Sequence, residues 1–174
     1  MTAEELEAFI RDVPDFPKPG ILFKDITPLL RSPGALDTTC ELLAEPFRRG
    51  GVNLVAGIES RGFIFGSIVA QKLGAGFVPI RKPGKLPWTT RRHEYVLEYG
   101  KDALEIHDDA LAPGDRVLVI DDVLATGGTL AAATNLVRGF DATLVGAATV
   151  IELEFLGGRQ KLGPDVSLHS LLRY

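Results

Sequence analysis

The stretch Val117-Leu118-Val119-Ile120-Asp121-Asp122-Val123-Leu124-Ala125-Thr126-Gly127-Gly128-Thr129 decides how the rest of the chain is read. Its unbroken apolar opening, residues 117–120, predicts a central parallel strand buried on both faces. The strand is expected to stop at Asp121 and Asp122, and the loop Ala125–Thr129 then opens into an alanine-rich helix over Thr129–Phe140. Polar groups at the carboxyl end of such a strand lie where open α/β sheets bind ligands. Successive backbone N–H groups and the hydroxyls of Thr126 and Thr129, at a helix start, make a phosphate cradle. Asp121 and Asp122 are acceptors only, which suits sugar hydroxyls, or Mg²⁺ reached through water, rather than a phosphate. A phosphate cradle beside a diol-binding acid pair describes a ribose 5-phosphate site. The loop has neither the Gly-Lys-Ser/Thr of a P-loop nor a GxGxxG dinucleotide fingerprint.

Outward from this stretch, the pattern is α/β with a mostly parallel sheet flanked by helices. Thr2 and Glu5 fit a capping box, with Leu6, Phe9, Ile10 and Val13 at helical spacing up to Pro14. The segment Pro14–Gly20, with three prolines and a glycine, is expected to be a stiff arm outside regular structure, gripped by Ile21-Leu22-Phe23. It reads either as a surface connector or as the cover of a site. A helix over Ala35–Arg49, a strand over Asn53–Ile58, the turn Glu59-Ser60-Arg61-Gly62, a helix over Phe63–Leu73 closed by Gly74, and a strand over Phe77–Ile80 follow. The alternation breaks at Arg81. Residues 81–92 carry Arg81, Lys82, Lys85, Arg91 and Arg92 among prolines and glycine, and are expected to form a long mobile lid loop. A hairpin hinged at Gly100-Lys101 joins Tyr95–Tyr99 to Leu104–His107. Strands over Ala142–Glu152 and Val166–Leu171 close the chain, with a loop over Glu154–Pro164 between them. The whole, 1–174, is read as one domain, with a small hood built from the N-terminal helix and arm (1–34) and the C-terminal segment, and a lid at 81–100.

Composition narrows the class. At 174 residues, with 45% apolar and 24% charged side chains, the chain can bury a sizeable core. A net charge of −4 argues against a general polyanion-binding surface, so no nucleic-acid partner is expected. No apolar stretch approaches a bilayer span, and the acidic start lacks the pattern of a signal peptide. The expected setting is cytoplasmic, with no membrane partner. The lone Cys40 excludes an intramolecular disulfide and reads as a buried structural thiol. His93, His107 and His169 have no metal-ligand spacing, and Ser60 is not in a nucleophile elbow.

The apolar run, Asp121-Asp122 and Val123–Thr129 together resemble the phosphoribosyl-pyrophosphate motif of the type I phosphoribosyltransferases. Phe16–Pro28, Gly57–Phe63, Arg81–Pro87 and Leu97-Glu98-Tyr99-Gly100 are similar, in order, to the adenine phosphoribosyltransferase branch of that family. The resemblance implies a glycosyltransferase that moves ribose 5-phosphate from phosphoribosyl pyrophosphate to N9 of adenine, giving AMP and pyrophosphate with Mg²⁺. It implies that Asp121 and Asp122 hold the ribose hydroxyls, and that Ala125, Thr126, Gly127, Gly128 and Thr129 hold the 5-phosphate. It assigns Arg61, Lys82 and Lys85 to the charge developing on pyrophosphate, the kind of preorganised stabilisation that dominates many enzymes. It also places Arg81 among the donor-binding residues and counts Arg61 as catalytic beside Glu98. Glu98 matches the proton acceptor or donor for the base, and Tyr99 supports either Glu98 or the lid. Leu22, Lys24 and Leu153 match adenine-binding positions. Lys24 departs from the arginine frequent in the family, and a lysine loses the planar fork. The resemblance also implies a homodimer with Arg81 reaching across it, a cis peptide at Glu59-Ser60, and no metal ligand supplied directly by the protein, the ion lying near Asp121 and Asp122. The competing readings are a transferase for xanthine or hypoxanthine, and a non-catalytic regulator that senses phosphoribosyl pyrophosphate.

Overall fold

The computed structural model describes residues 1–97 and 100–174. The chain opens with α1 (Ala3–Leu6), β1 (Arg11–Pro14), β2 (Leu22–Asp25), α2 (Thr27–Arg31) and α3 (Pro33–Ala44). It continues through β3 (Leu54–Ile58), α4 (Arg61–Leu73) and β4 (Gly76–Ile80), and then the hairpin of β5 (Thr90–Leu97) and β6 (Gly100–His107). It ends with β7 (Arg116–Leu124), α5 (Gly128–Arg138), β8 (Thr143–Glu152) and β9 (Leu168–Arg173).

Local chemistry explains the boundaries. Thr2 and Glu5 form the capping box that starts α1. Ser32 caps α3 by accepting from the Ala35 N–H, ahead of Pro33 in the first turn. Gly74, at φ 67°, closes α4 in the left-handed conformation that glycine adopts without steric cost.

Five strands form one parallel sheet in the order β4-β3-β7-β8-β9. From β3 the chain moves through α4 outward to β4, whereas from β7 it moves through α5 the other way to β8. The strand order therefore reverses between β3 and β7, and a crevice opens at their carboxyl ends. Successive residues of β7 feed opposite cores. Leu118 and Ile120 pack with Cys40, Leu43, Phe65 and Val69 of α3 and α4. Val117 and Val119 pack with Leu130, Ala133 and Val137 of α5 and with Leu104 and Ile106 of β6. A strand covered on both faces needs apolar residues throughout, which is the origin of the unbroken run.

Several expectations are corrected. The central strand does not stop at the acid pair; β7 runs through Asp121 and Asp122 to Leu124, paired with β8 as far as Glu152. The first helix ends at Leu6 and passes through a 3₁₀ turn, because Arg11–Pro14 pairs antiparallel with Leu22–Asp25. Pro17 and Pro19 thus sit in the tip of a two-stranded hairpin, as irregular as expected, and Pro14 closes its first strand. The charged segment is shorter than expected, since Arg91, Arg92 and His93 belong to β5. Gly100 and Lys101 pair with Leu97 and Val96 within the ladder, so they are not its hinge. The loop is tied down at two points: Arg81 exchanges backbone hydrogen bonds with Glu105, and the Gly84 N–H reaches the Glu105 carboxylate at 3.0 Å. The last strand begins at Leu168, and 3₁₀ turns occupy Glu154–Leu156 and Gly158–Leu162. Among the described residues no helix is long and apolar enough to cross a membrane.

Candidate functional site

The crevice between β3 and β7 is a cleft of about 340 Å³. Its walls are Glu59, Ser60 and Arg61 from the β3–α4 turn, Lys82 from the charged loop, and every residue from Asp121 to Leu130. Each wall follows from the fold. The β3–α4 turn, with a cis Glu59-Ser60 peptide as the resemblance implies, delivers Arg61 at the first position of α4. Gly62 lets α4 approach so closely that a Cβ there would lie 2.9 Å from the Ile120 carbonyl oxygen and 3.1 Å from Asp121 Oδ1.

The loop after β7 ends in Gly127, at φ 83°, and no side chain caps α5. Its first-turn N–H groups and the hydroxyls of Thr126 and Thr129 therefore line an anion cradle at a helix N-terminus. Behind the cradle the Gly158 backbone lies against Ala125 and Gly127, and a Cβ on either Gly127 or Gly158 would collide with the other strand of this contact. The C-terminal turn is pinned there by Arg159, which donates from Nε to Glu152 at 2.9 Å and also reaches the Leu168 carbonyl.

Asp121 and Asp122 are both buried, at 8% and 6% exposure. Arg61 Nε lies 2.7 Å from Asp122 Oδ2, and Asp121 Oδ1 accepts the Asp122 N–H at 2.9 Å. Burial pushes both carboxyls up from their ordinary range; the Asp122 charge raises Asp121 further, whereas Arg61 works against the rise. The acids and Arg61 thus form a polar floor beside the cradle, suited to accept hydrogen bonds from a diol.

A second pocket, about 230 Å³ and mostly apolar, adjoins the first and shares Arg61, Asp122, Val123 and Ala125 with it. Leu22 and Lys24 of β2 and Leu153 beyond β8 line it, together with Ile21, Phe23 and Leu156. The segment Ile21–Lys24 that follows the arm therefore lines a pocket, whereas no residue of Pro14–Gly20 does. It is held by Lys24, whose ammonium lies 2.7 Å from Asp12 and 3.8 Å from the centroid of the Tyr174 ring. Phe23 stacks edge-on against Phe16 at 5.1 Å and lies under the Arg61 guanidinium. The Lys24 side chain thus fastens the hairpin to the C-terminus.

Of the residues singled out from the sequence, the first cleft gathers Arg61, Lys82, Asp121, Asp122 and Ala125–Thr129, and the second gathers Leu22, Lys24 and Leu153. Arg81 and Lys85 line neither. The Arg81 guanidinium is spent on Glu59 of its own chain, at 3.2 Å, and on the Lys85 carbonyl. Glu98 and Tyr99 lie outside the described residues. Sequence reasoning passed over Glu59, whose carboxylate also accepts the Lys82 N–H at 2.6 Å and so ties the charged loop to the β3–α4 turn. It also passed over Tyr95 and Asp102, which meet Lys82 across the hairpin. Only the ladder register brings them there, whereas the acid at Glu59, ending a predicted strand, was a usable signal. Cys40 is buried, and burial pushes its thiol up to about 12, which suits an inert structural residue.

Comparison with known proteins gives a consistent result. The family model for the phosphoribosyl transferase domain matches residues 27–167. The adenine phosphoribosyltransferase of Acaryochloris marina is 56% identical over 170 residues, covering 98% of this chain and 99% of that protein. A crystal structure of adenine phosphoribosyltransferase from Rhodothermus marinus superposes with a TM-score of 0.94 at 52% identity, covering 99% of this chain and 98% of that one. The Saccharomyces cerevisiae enzyme of the same name, solved with adenine and an imino-altritol bisphosphate, gives a TM-score of 0.92 at 42% identity, covering 98% of each chain.

Carboxyls whose folded pKa stands above the unfolded value stabilise the fold below that unfolded value, 3.8, and the contribution is lost as pH rises through the folded pKa. Asp121→Asn removes a buried charge and keeps the shape. It is expected to raise stability at neutral pH by roughly 0.5–2 kcal/mol. Denaturant unfolding of both proteins in an acid-to-neutral pH series checks this: the gain should grow with pH, and a loss at neutral pH would show that Asp121 stabilises the fold.

Proposed function

The chain belongs to the phosphoribosyl transferase family, and on that premise we propose that it transfers ribose 5-phosphate from phosphoribosyl pyrophosphate to N9 of adenine, releasing pyrophosphate and forming AMP. One observation carries the reading: a polar cleft with an anion cradle and a buried acid pair opens directly into an apolar pocket of about 230 Å³. Adenine is a flat, uncharged base and the donor a charged sugar phosphate, so the two pockets match the two substrates in chemistry.

The C1′–O bond to pyrophosphate breaks as the C1′–N9 bond forms, so positive charge builds on the ribose and negative charge on the leaving group. Asp121 and Asp122 accept hydrogen bonds from the ribose hydroxyls and, where ionised, favour the cationic sugar. Ala125–Thr129 hold the 5-phosphate through backbone N–H groups and the threonine hydroxyls. Arg61 and Lys82 face the leaving pyrophosphate, where charge-assisted hydrogen bonds are worth most in a closed, dry site. Lys85, exposed and outside both pockets, joins them only through movement of its loop. Leu22, Leu153 and the arm sandwich the base, and Glu98 takes the N9 proton, a role that rests on the Leu97–Gly100 match. Mg²⁺ belongs to this reading. Among the described residues no group of three or more His, Cys, Asp or Glu side chains could hold a metal ion by itself. The ion would be held by donor oxygens and water near Asp121 and Asp122, and when bound it would offset the charge of the pyrophosphate oxygens. A homodimer is part of the proposal through the family, as is a cytoplasmic setting, which the single buried cysteine permits.

Purified protein mixed with Mg²⁺, phosphoribosyl pyrophosphate and each purine in turn should form AMP from adenine. Turnover only with xanthine or hypoxanthine would reassign the substrate, and binding of the donor without turnover of any base would favour the sensing regulator. Glu98→Gln should lower kcat by about 10²–10⁴-fold while leaving donor affinity within a factor of about two, as expected for loss of a general base; steady-state kinetics with donor titration separates the two. Light scattering is expected to report a dimer, and a monomer at assay concentration would remove that part of the reading.

A further inference from the structure

Lys82 is the one cationic side chain of the charged loop that lines the cleft, yet its ammonium is already engaged. It forms an ion pair with Asp102 and donates to the Tyr95 hydroxyl at 3.0 Å. Tyr95 and Asp102 are direct cross-strand partners in the β5–β6 ladder. The Tyr95 hydroxyl lies 3.1 Å from Asp102 Oδ2 and 3.3 Å from Thr129 Oγ1, so the cluster touches the anion cradle. Both ends of this arrangement are fixed. Asp102 Oδ1 accepts the Ala103 N–H at 2.8 Å, and the Lys82 N–H is held by Glu59 at 2.6 Å. What can still move is the four-carbon stem of Lys82 and its ammonium. Asp102 is not among the residues lining the cleft, so its carboxylate acts there through Lys82.

We propose that Asp102 is a positioning residue that competes with the anionic leaving group for Lys82, yielding the ammonium when pyrophosphate is bound and reclaiming it as pyrophosphate departs. The inference rests on the reading of Lys82 given under the proposed function and adds what governs its release. Energetics favour exchange. The paired side chains are 38% and 28% exposed, so their ion pair is of the weak, screened kind. Pyrophosphate brings several negative charges against a single carboxylate. A lysine, as a compact charge on a flexible stem, changes partners with little rearrangement, which a bidentate arginine would not. Burial lowers the Lys82 pKa and the Asp102 and Tyr95 contacts outweigh it, leaving it raised; the Asp102 pKa is lowered, chiefly by Lys82 against the effect of burial. Both partners therefore stay charged around neutral pH.

The sign of one substitution separates this role from simple support. If Asp102 competes, Asp102→Asn, whose amide oxygen still accepts the Ala103 N–H, should bind magnesium pyrophosphate about three- to fivefold more tightly, as loss of a partly exposed ion pair allows. If Asp102 merely props Lys82 in place, binding should weaken. Calorimetric titration of the full chain with magnesium pyrophosphate reads this directly, with melting curves to show that each variant is folded. In a Lys82→Met background the same Asp102→Asn change should have no effect. Unchanged or weaker binding by Asp102→Asn, or a tightening that persists without Lys82, overturns the proposal. A wild-type protein that binds no pyrophosphate overturns the underlying reading of Lys82 as well. Where the variant does not fold, lysine side-chain NMR of the wild type, assigned by Lys82→Arg, gives the same decision: the Lys82 ammonium signal should shift on adding magnesium pyrophosphate, and an unmoved signal overturns the exchange.

Discussion

Two adjacent carboxyls are buried at the carboxyl end of the central strand, with one guanidinium against them. Most of the site follows from accommodating them. Asp121 and Asp122 lie inside β7, paired with β8, and their desolvation is offset in part by the Arg61 contact at 2.7 Å and by a backbone N–H. An unpaired buried charge is costly, so the chain must bring Arg61 there, and it does so by packing α4 against β7 through Gly62. The same packing forms the polar floor between the anion cradle and the apolar pocket. Under the proposed function, stability is traded for a site whose acids are held ready for a sugar and a developing positive charge.

The remaining walls are positioned by elements distant in sequence. The cradle is supported from behind by a glycine–glycine contact with the C-terminal turn, and Glu152 anchors that turn through Arg159. The apolar pocket is closed by the N-terminal hairpin, which Lys24 ties to Asp12 and to the ring of Tyr174. Glu59 fastens the charged loop to the β3–α4 turn. The glycine–glycine contact and the Glu59 contacts join chain segments more than 20 residues apart, and the Lys24–Tyr174 contact joins the two ends of the chain, so the site becomes rigid only when the whole domain has folded.

Much of this was legible beforehand. The unbroken run at 117–120 marked a strand covered on both faces, and Gly74 marked the end of α4 through its left-handed conformation. The Thr126-Gly127-Gly128-Thr129 loop was recognisable as a cradle because hydroxyls, small residues and a helix start are local properties. The misreadings have physical causes. Acids were taken as the end of β7 because polar residues usually lie outside a doubly covered strand, but Arg61 and the adjoining cleft let them stay within the ladder. The first helix was read as far as Val13 because Leu6, Phe9, Ile10 and Val13 keep helical spacing, but Arg11–Pro14 pairs with Leu22–Asp25 across the proline turn, a partner that local spacing does not show. Arg91 and Arg92 looked like loop cations, yet they are exposed residues of a strand whose inner face is marked by Tyr95.

By itself, then, the sequence determined the layer architecture, the central strand, the glycine loop that opens α5 and the family. All of these rest on local periodicity, backbone preference or a contiguous motif. Tertiary structure alone decided which cations face the cleft and which are spent elsewhere. Lys82 reaches it while Arg81 is turned to Glu59, although the two are neighbours in the chain. It also decided that Tyr95 and Asp102 meet at Lys82. A charge at a given position has no direction in sequence; its partner is set by strand register and by the packing of segments that the chain brings together only on folding.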